Sequence, residues 1–276
     1  MPRSRWSWRT QVGASRQKTN ARAELPETEM LLPISMITGS AVAAASAAYY
    51  ATSAVRSQWL GATVWRGRTD TNEVALTFDD GPDKDTEELL DVLGDLNVNA
   101  AFFMIGSQVE RHPDIARRVA ELGHEIGNHS YSHPIFVSRS ANETRKQLDL
   151  AQQIIAETTD IRPLLARPPY GVRTRAYFSA ARNLNLQTVQ WSDTGFDWKD
   201  HDAERIARDA VQHARAGSII LLHDGDSAGK SDRKRTIAGI PLIVAALKAR
   251  GLEIAPLSRL IEMKSQPQFG AEQTNA

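Results

Sequence analysis

Short apolar runs alternate with amphipathic stretches from residue 73 to residue 263, and this alternation constrains the fold more than any other feature. The first run, 74–78, precedes a helical pattern over 85–96, and the second run, 100–105, stops at Gly106. Strands and helices that alternate about seven times build a parallel sheet with crossover helices. No Gly-x-Gly-x-x-Gly pattern follows the first strand. The sequence therefore favours an α/β fold with a closed or nearly closed (β/α) barrel over an open doubly wound sheet.

The later elements follow the same alternation. Further helices are expected in amphipathic stretches near 108–122, 139–158, 174–183, 202–215 and 233–250. Further strands are expected in short apolar runs at 125–127, 164–166, 187–191, 218–222 and 252–254. Gly123 stands where it can cap the first of these helices.

Composition limits the classes of partner and of metal site. The 276 residues are 41% hydrophobic, which is enough for a substantial core. Lys and Arg together number 33, as do Asp and Glu, so the net charge gives no indication of a nucleic-acid partner. The chain contains no Cys, which excludes disulfides and thiolate ligands. Any metal must therefore be held by His, carboxylate or water.

The N-terminal segment differs from the rest of the chain. Residues 1–29 form a basic arm, and residues 30–55 carry no charge. A helix of about 20 apolar residues can span a bilayer, and the positive-inside rule would then keep the arm cytoplasmic and place the rest of the chain outside. The small-residue stretch 43–48 also suits a cleaved export signal, and an Ala-rich soluble or disordered segment is the third interpretation. We expect a membrane anchor with an extracytoplasmic domain, or a secreted protein.

The remaining boundaries follow from composition. Residues 56–72 are polar and contain Gly, and they are interpreted as a linker. The alternating pattern defines one domain over 73–263. Residues 264–276 form a polar tail.

Polar residues follow several predicted strands, at the end where chemistry collects in (β/α) folds. Asp79 and Asp80 follow the first strand and precede a Gly81-Pro82 turn signal. Adjacent carboxylates repel, so a neighbouring cation would explain them, whereas an ordinary surface turn is the alternative. Four later strand ends are also polar: His129 with His133, Arg167 with Tyr170, Asp193 with Asp197 and Trp198, and His223 with Asp224. Five such strand ends together indicate one assembled site.

The two histidines after the third strand have the spacing of metal ligands. His129 and His133 are four residues apart, so that both imidazoles can reach one ion from a single turn. Pro134 biases His133 away from the α region, and a tight loop is therefore expected. Taken alone, the pair is also compatible with a surface loop or a hydrogen-bonded polar pair. With one carboxylate it would make an open catalytic site typical of zinc, although cobalt, nickel or iron would also suit it.

Together these residues resemble the five ordered motifs of the polysaccharide deacetylases, the NodB-homology or carbohydrate esterase 4 family. The resemblance covers about residues 73–260. Its motifs stand here as Thr77-Phe78-Asp79-Asp80-Gly81-Pro82, His129-Ser130-Tyr131-Ser132-His133, Arg167-Pro168-Pro169-Tyr170, Asp197-Trp198 and Leu222-His223. It implies a distorted (β/α) barrel and metal-dependent removal of N-acetyl groups from amino sugars in polymers such as peptidoglycan or chitin.

The resemblance also implies a role for each matched catalytic residue. Asp79 would be the general base, oriented by Arg167. His223 would be the general acid, with its charge tuned by Asp197. The divalent metal would be bound by Asp80, His129 and His133.

Four further residues would bind the substrate. The backbone N–H of Tyr170 would help to hold the oxyanion, and Pro169 belongs to the same turn. Trp198 and Leu222 would line the pocket for the acetyl group. Asp193 departs from the commoner spacing of the family by one residue, so it receives no role.

Three functions follow as hypotheses. The first is an N-deacetylase of a cell-wall or extracellular polysaccharide. The second is a deacetylase or esterase of a lipid-linked or small acylated sugar, which would use the same site. The third is a noncatalytic carbohydrate-binding barrel, against which the presence of both a base and an acid argues. The expected partner is an acetylated glycan, and the oligomeric state is not predicted.

Overall fold

The computed structural model describes the backbone of residues 27–263 and the side-chain surroundings of residues 40–263. The chain divides into two units, Met1–Ser46 and Ala47–Ala276, and every strand of the described part belongs to the second unit. The predicted polar tail, 264–276, and most of the predicted basic arm lie outside the described residues.

Parallel strands form one curled sheet. In chain order they are β1 (Glu73–Asp79), β2 (Ala101–Met104), β3 (Glu125–Asn128), β4 (Leu165–Ala166), β5 (Gln187–Thr188), β6 (Asp193–Thr194), β7 (Ile219–His223) and β8 (Glu253–Ile254). The spatial order is β5-β4-β3-β2-β1-β7-β6, and β8 pairs with the first residues of β1. Strands β5 and β6 lie at opposite edges and do not pair with each other. The sheet is therefore a half-barrel, in agreement with a distorted (β/α) barrel of about seven units.

Helices connect the strands. They are α1 (Glu27–Ser53), α2 (Lys84–Asp95), α3 (Gly106–Arg111), α4 (Pro113–Glu121), α5 (Ala141–Thr159), α6 (Arg175–Asn183), α7 (Ala203–Val211), α8 (Lys234–Ala249) and α9 (Leu257–Leu260). Two single turns of 3-10 helix, Phe136–Ser138 and Pro169–Gly171, precede α5 and α6.

The prediction of one continuous helix at 108–122 is wrong, because the structure contains two helices there. The break falls between His112, which has φ −129° and ψ 55°, and Pro113 at the first position of α4. Proline has no N–H to donate and excludes the preceding residue from the α region. A continuous apolar face can therefore extend across two helices.

The expected strand at 187–191 also differs from the structure. Strand β5 ends at Thr188, and Val189 forms only an isolated bridge with Val64. Asp193–Thr194 forms a separate strand that pairs with β7, on the other edge of the sheet. Strands of two residues carry too little periodicity to be recognised. The short helix α9 was not predicted for the same reason.

The side chains of β1 alternate between two apolar clusters. Val74, Leu76 and Phe78 pack in the cluster under the helices, and Ala75 packs in the interior of the half-barrel. Because side chains alternate along a strand, Asp79 must also face the interior. The hydrophobic pattern of this strand thus directs its terminal carboxylate into the half-barrel.

Residues 27–53 are helical, which overlaps the charge-free segment 30–55. Within the described residues, no helix combines the length and the hydropathy that a membrane crossing requires. The interpretation of this segment as an anchor or an export signal stays a prediction.

The segment interpreted as a linker, 56–72, makes ordered contacts with the folded unit. The N–H of Val64 donates to the Thr188 carbonyl at 2.9 Å, so Val64 extends the edge beside β5. The N–H of Gly67 donates to the Gly217 carbonyl at 2.8 Å. Polar and Gly-containing composition resembles a linker, but these bonds use backbone groups that composition does not report. The folded part therefore begins before residue 73.

Arg173 connects this entry segment to the half-barrel, which leads to the first prediction. Its guanidinium is fully buried and donates to the carbonyls of Ala54, Ser57 (3.1 Å) and Gly171 (2.8 Å). Arg173→Ala should lower the free energy of unfolding by about 2–4 kcal/mol, because charged donors are lost and buried carbonyls are left unpaired. Urea unfolding followed by circular dichroism measures this. The exposed Arg175→Ala is the control, and equal stability of both variants would contradict the assignment.

Candidate active site

The two adjacent acids lie at the end of β1, where the strand leaves the sheet. Asp79 is in parallel register with His223 of β7 and with Phe103 of β2. Asp80 has φ 77°, a left-handed conformation that is uncommon for a residue other than glycine. This conformation interrupts the strand alternation, so both consecutive carboxylates line the same cavity.

Arg167 holds one oxygen of Asp79. Its guanidinium is fully buried, and Nη1 donates to Asp79 Oδ1 at 2.7 Å and to Thr77 Oγ1 at 2.9 Å. Nη2 donates to the Gln190 carbonyl at 3.0 Å, and the guanidinium carbon lies 4.1 Å from the ring centroid of Phe103. Asp79 Oδ2 makes no such ion pair with Arg167 and lies 3.8 Å from His129 Nε2. One carboxylate oxygen is therefore fixed and the other faces the cavity.

Asp80, His129 and His133 form a compact group of potential metal ligands. One ligand atom from each residue lies within 4.8 Å of the other two. Asp80 Oδ1 is 3.1 Å from His133 Nε2 and 3.5 Å from His129 Nε2. Both Ser130 and His133 have positive φ angles, 67° and 56°, which produces the tight loop that the sequence predicts.

The protonation of this group suits a bound cation. His129 Nδ1 lies 2.7 Å from the Arg167 carbonyl, so Nδ1 donates to that carbonyl and Nε2 faces Asp80. Asp80 Oδ1 is buried and accepts no hydrogen bond. Burial, with a contribution from His129, lowers the pKa of His133 to about 4, so this imidazole is neutral at neutral pH. Two imidazole nitrogens and one carboxylate oxygen converge here, and this ligand set fits a divalent metal.

His223 and Asp197 form a second dyad across the cavity. Asp197 Oδ1 lies 2.8 Å from His223 Nδ1, and Asp197 Oδ2 accepts from the His223 N–H at 2.8 Å and from the Thr236 hydroxyl at 3.0 Å. Burial acts to lower the pKa of His223, but the charge and hydrogen bond of Asp197 outweigh it and raise the pKa to about 9. The imidazole is therefore protonated at neutral pH.

One cavity of about 480 Å³ is lined by Asp79, Asp80, His129, His133 and His223. Its walls include exposed rings, since Tyr170 is 59% and Trp198 is 49% exposed. Tyr170 adopts φ 57° in the turn that begins with buried Pro169, and its ring lies 4.5 Å from that of His133. The rings of Trp198 and His223 are 5.4 Å apart.

The expected position of Leu222 in the cavity wall does not agree with the structure. Leu221 lines the cavity, whereas Leu222 packs in the apolar cluster under the helices. Side chains alternate along β7, and His223 faces the cavity, so Leu221 shares its face and Leu222 cannot. Asp193, which received no role, lines a different cavity and accepts a hydrogen bond from Ser192 at 2.6 Å.

Known proteins share this sequence pattern and fold. A sequence model described as polysaccharide deacetylase matches residues 66–189. The chain is 37% identical over 207 residues to a peptidoglycan-N-acetylglucosamine deacetylase of Bacillus cereus, covering 74% of this chain and 95% of that relative. The chain belongs to the polysaccharide deacetylase family. It is also 34% identical to a chitooligosaccharide deacetylase of a Bradyrhizobium species, covering 69% of this chain and 91% of that relative.

A solved structure has a similar fold to this polysaccharide deacetylase. A crystal structure of a peptidoglycan N-acetylglucosamine deacetylase superposes with a TM-score of 0.71 and 33% identity, covering 75% of this chain and 95% of that one. The match to the family sequence model ends at residue 189, before Asp197 and His223. The second half of the site lies beyond this match, and it is recognised from the Asp197-Trp198 and Leu222-His223 motifs together with its geometry.

Sequence reasoning left Asp224 of the deacetylase without a role, although it follows the candidate acid directly. Its carboxyl accepts from the Gly81 N–H at 3.1 Å and from the Thr86 hydroxyl at 2.8 Å, and its own N–H donates to the Asp79 carbonyl at 3.1 Å. A Cβ on Gly81 would lie 1.9 Å from Asp224 Oδ2, so only glycine fits there. Asp224 thus fixes the backbone on both sides of Asp80. In the sequence, the position of Asp224 directly after His223 at a strand end indicated that it could belong to the site.

This contact gives the second prediction. Asp224→Ala should weaken binding of Zn²⁺ to the metal-free protein by about 10-fold or more, because Asp80 loses the support of its unusual backbone conformation. Asp224→Asn retains an acceptor for the Gly81 N–H and should recover most of the affinity. Calorimetric titration measures both, with the exposed Asp95→Ala as control. If Asp224→Ala matches the control, Asp224 has no part in positioning the ligands.

Proposed function

We propose that the protein is a metal-dependent hydrolase that removes N-acetyl groups from amino sugars of a cell-wall or extracellular polysaccharide, peptidoglycan or chitin-like. The supporting observation is the convergence of three groups in one cavity: the free oxygen of Asp79, the Asp80, His129 and His133 triad, and the His223 dyad. A binding module needs neither a base nor an acid. The relatives named above act on two such glycans, which agrees with the proposal.

An amide resists hydrolysis because its carbonyl is a poor electrophile, water is a poor nucleophile and an amide anion is a poor leaving group. A divalent cation held by Asp80, His129 and His133 would polarise the carbonyl and acidify water. Zinc suits two imidazoles and one carboxylate, and cobalt, nickel or iron would also fit this set. Side chains of the protein would carry out the proton transfers.

Asp79 is placed to accept the proton of the attacking water. Arg167 binds Asp79 Oδ1, which leaves Oδ2 to face the cavity and fixes the direction from which it accepts. General-base catalysis of this kind contributes about 10²- to 10⁴-fold.

His223 is placed to protonate the departing amine. Its Nδ1 is engaged by Asp197, so the proton available to the substrate is the one on Nε2. Trp198 and Leu221 supply the apolar part of the cavity wall near this imidazole, where the acetyl methyl group would bind. Because Asp197 keeps the His223 imidazole protonated, His223 can donate its proton without first taking one up.

The proposal is tested by acetate release from peptidoglycan, chitin oligomers and small acetylated sugars. Metal-loaded protein should release acetate from at least one polymeric substrate and lose this activity after chelation. Release of acetate from only small or lipid-linked sugars would favour the alternative substrate class. If metal-bound protein releases no acetate from any of these substrates, the proposed enzymatic activity is wrong.

Asp79→Asn provides the sharpest variant. It should reduce kcat by about 10³-fold while the protein still binds one equivalent of metal, because the base is removed and the ligands remain. Asp193→Asn is the matched control, since it also neutralises a buried carboxylate at a strand. Loss of metal together with activity in Asp79→Asn would place Asp79 among the ligands.

The His223 dyad predicts the pH dependence. Because the pKa of His223 is about 9, kcat/KM should stay level through neutral pH and fall as the pH rises through about 9. The same raised pKa contributes stability that is complete below the ordinary His pKa of about 6.5 and is lost as the pH rises through the folded value. Asp197→Asn should move the alkaline limb towards or below about 6.5. An unmoved limb would show that another group is the acid.

A further inference from the structure

A second cavity, of about 290 Å³, lies at the other end of the sheet from the active site. It is bordered by Ser192 and Asp193, where β6 begins, and by Ser218, which directly precedes β7. The candidate catalytic and metal-binding residues lie where the strands end. The two cavities share no lining residue. Ligand binding at this second cavity would therefore leave the catalytic residues unobstructed.

Three guanidinium groups line this cavity, and none of them forms an ion pair with a described residue. Arg66 donates through Nε and Nη2 to the Ala216 carbonyl, at 3.2 and 2.6 Å, and Arg56 lies 4.6 Å from the ring centroid of Trp65. Arg215 is exposed. Among the described residues, no carboxylate oxygen approaches any of the three within 4.0 Å. The Ala216 carbonyl and the Trp65 ring attract these guanidinium groups but do not neutralise their charge.

The positive charges act on one another. Burial lowers the pKa of Arg66, the charges of Arg215 and Arg56 lower it further, and Asp193 opposes them. Asp193 is the one carboxylate in the cavity wall, and one of its oxygens is engaged by the Ser192 hydroxyl at 2.6 Å. The exposed imidazole of His213 lies on the same wall and would add positive charge when protonated. The described residues of the cavity wall therefore carry an excess of positive charge.

We infer that this cavity binds a phosphate group. Arg is the residue that binds phosphate with paired, charge-assisted hydrogen bonds, and several guanidiniums around one concave site suit an anion with several acceptor oxygens. A simple carboxylate has two oxygens and one charge, so it would satisfy one guanidinium and leave the others unpaired. Phosphate binding at this cavity is independent of whether the protein has the proposed hydrolase activity.

The phosphate can come from a soluble ion or from a phospholipid headgroup. Arg56 lies three residues after the end of α1 at Ser53, so the cavity is on the face where the chain enters the folded unit. That position allows a headgroup as a source, and the experiment separates the two.

The test uses the purified full chain and titrates inorganic phosphate at constant ionic strength, with binding followed by calorimetry and by the shift in Tm. Saturable binding is expected, with a Tm that rises with phosphate concentration. Arg56→Ala/Arg215→Ala should weaken binding by about 10-fold or more, because two charged donors are lost. The control is Arg182→Ala/Arg208→Ala, which removes the same charge from exposed helical positions. Acetate is titrated in parallel, and an equal response to acetate would contradict a phosphate site.

The single variant Arg215→Ala distinguishes a ligand site from a structural cluster. Without phosphate, its Tm should equal or exceed that of the wild type, because a repelling charge has been removed. The increase in Tm with phosphate should be reduced. A Tm lowered by the same amount at every phosphate concentration would show that Arg215 has a structural role, and the inference would be wrong.

Vesicles identify the source of the phosphate. Sedimentation with phosphatidylglycerol vesicles, and with phosphatidylcholine vesicles for comparison, is measured for the wild type and both double variants. Weaker sedimentation of Arg56→Ala/Arg215→Ala than of the control variant supports a headgroup, and phosphate binding without this difference supports a soluble ion. Absence of both effects overturns the site. Acetate release by the same samples should be unchanged, which keeps this result separate from that of the proposed function.

Discussion

The buried ion pair between Arg167 and Asp79 is the interaction on which the site depends. Arg167 has no exposed surface, and burial of an unpaired guanidinium would cost several kcal/mol, on the order seen when one partner of a buried pair is removed. Its side chain therefore needs the Asp79 carboxylate, and its backbone carbonyl fixes the proton of His129 at Nδ1. One residue thus sets the orientation of the candidate base and the tautomer of a candidate ligand.

Strand register completes the arrangement. Asp79 and His223 are partners in adjacent parallel strands, so the candidate base and acid project from the same row into the interior. Asp80 joins them because its left-handed backbone turns the next carboxylate back into the same space. Asp224 holds that conformation through the Gly81 N–H and the Asp79 carbonyl. The position of each group follows from backbone geometry before any ligand is considered.

The sequence was sufficient where a motif and a periodic pattern coincided. The apolar run before Asp79 predicted β1 closely. The spacing of His129 and His133 predicted converging imidazoles, and Pro134 predicted the tight loop between them. Prediction failed where the decisive contact is made by the backbone or by a partner distant in sequence. Leu222 was assigned to the cavity by its place beside His223, although alternation along the strand selects Leu221.

The two cavities differ in how their charges are compensated, and this difference accounts for their chemistry. At the active site, Asp79 pairs with the Arg167 guanidinium, and Asp80 faces two imidazoles arranged to hold a metal cation. At the second cavity, Arg66 has only a carbonyl as acceptor among the described residues, and Arg215 adds an unpaired charge beside it. A cluster of like charges without an internal counter-charge is stabilised when an ion of opposite charge binds. The proposed cation would complete the first cavity, and the proposed anion would complete the second.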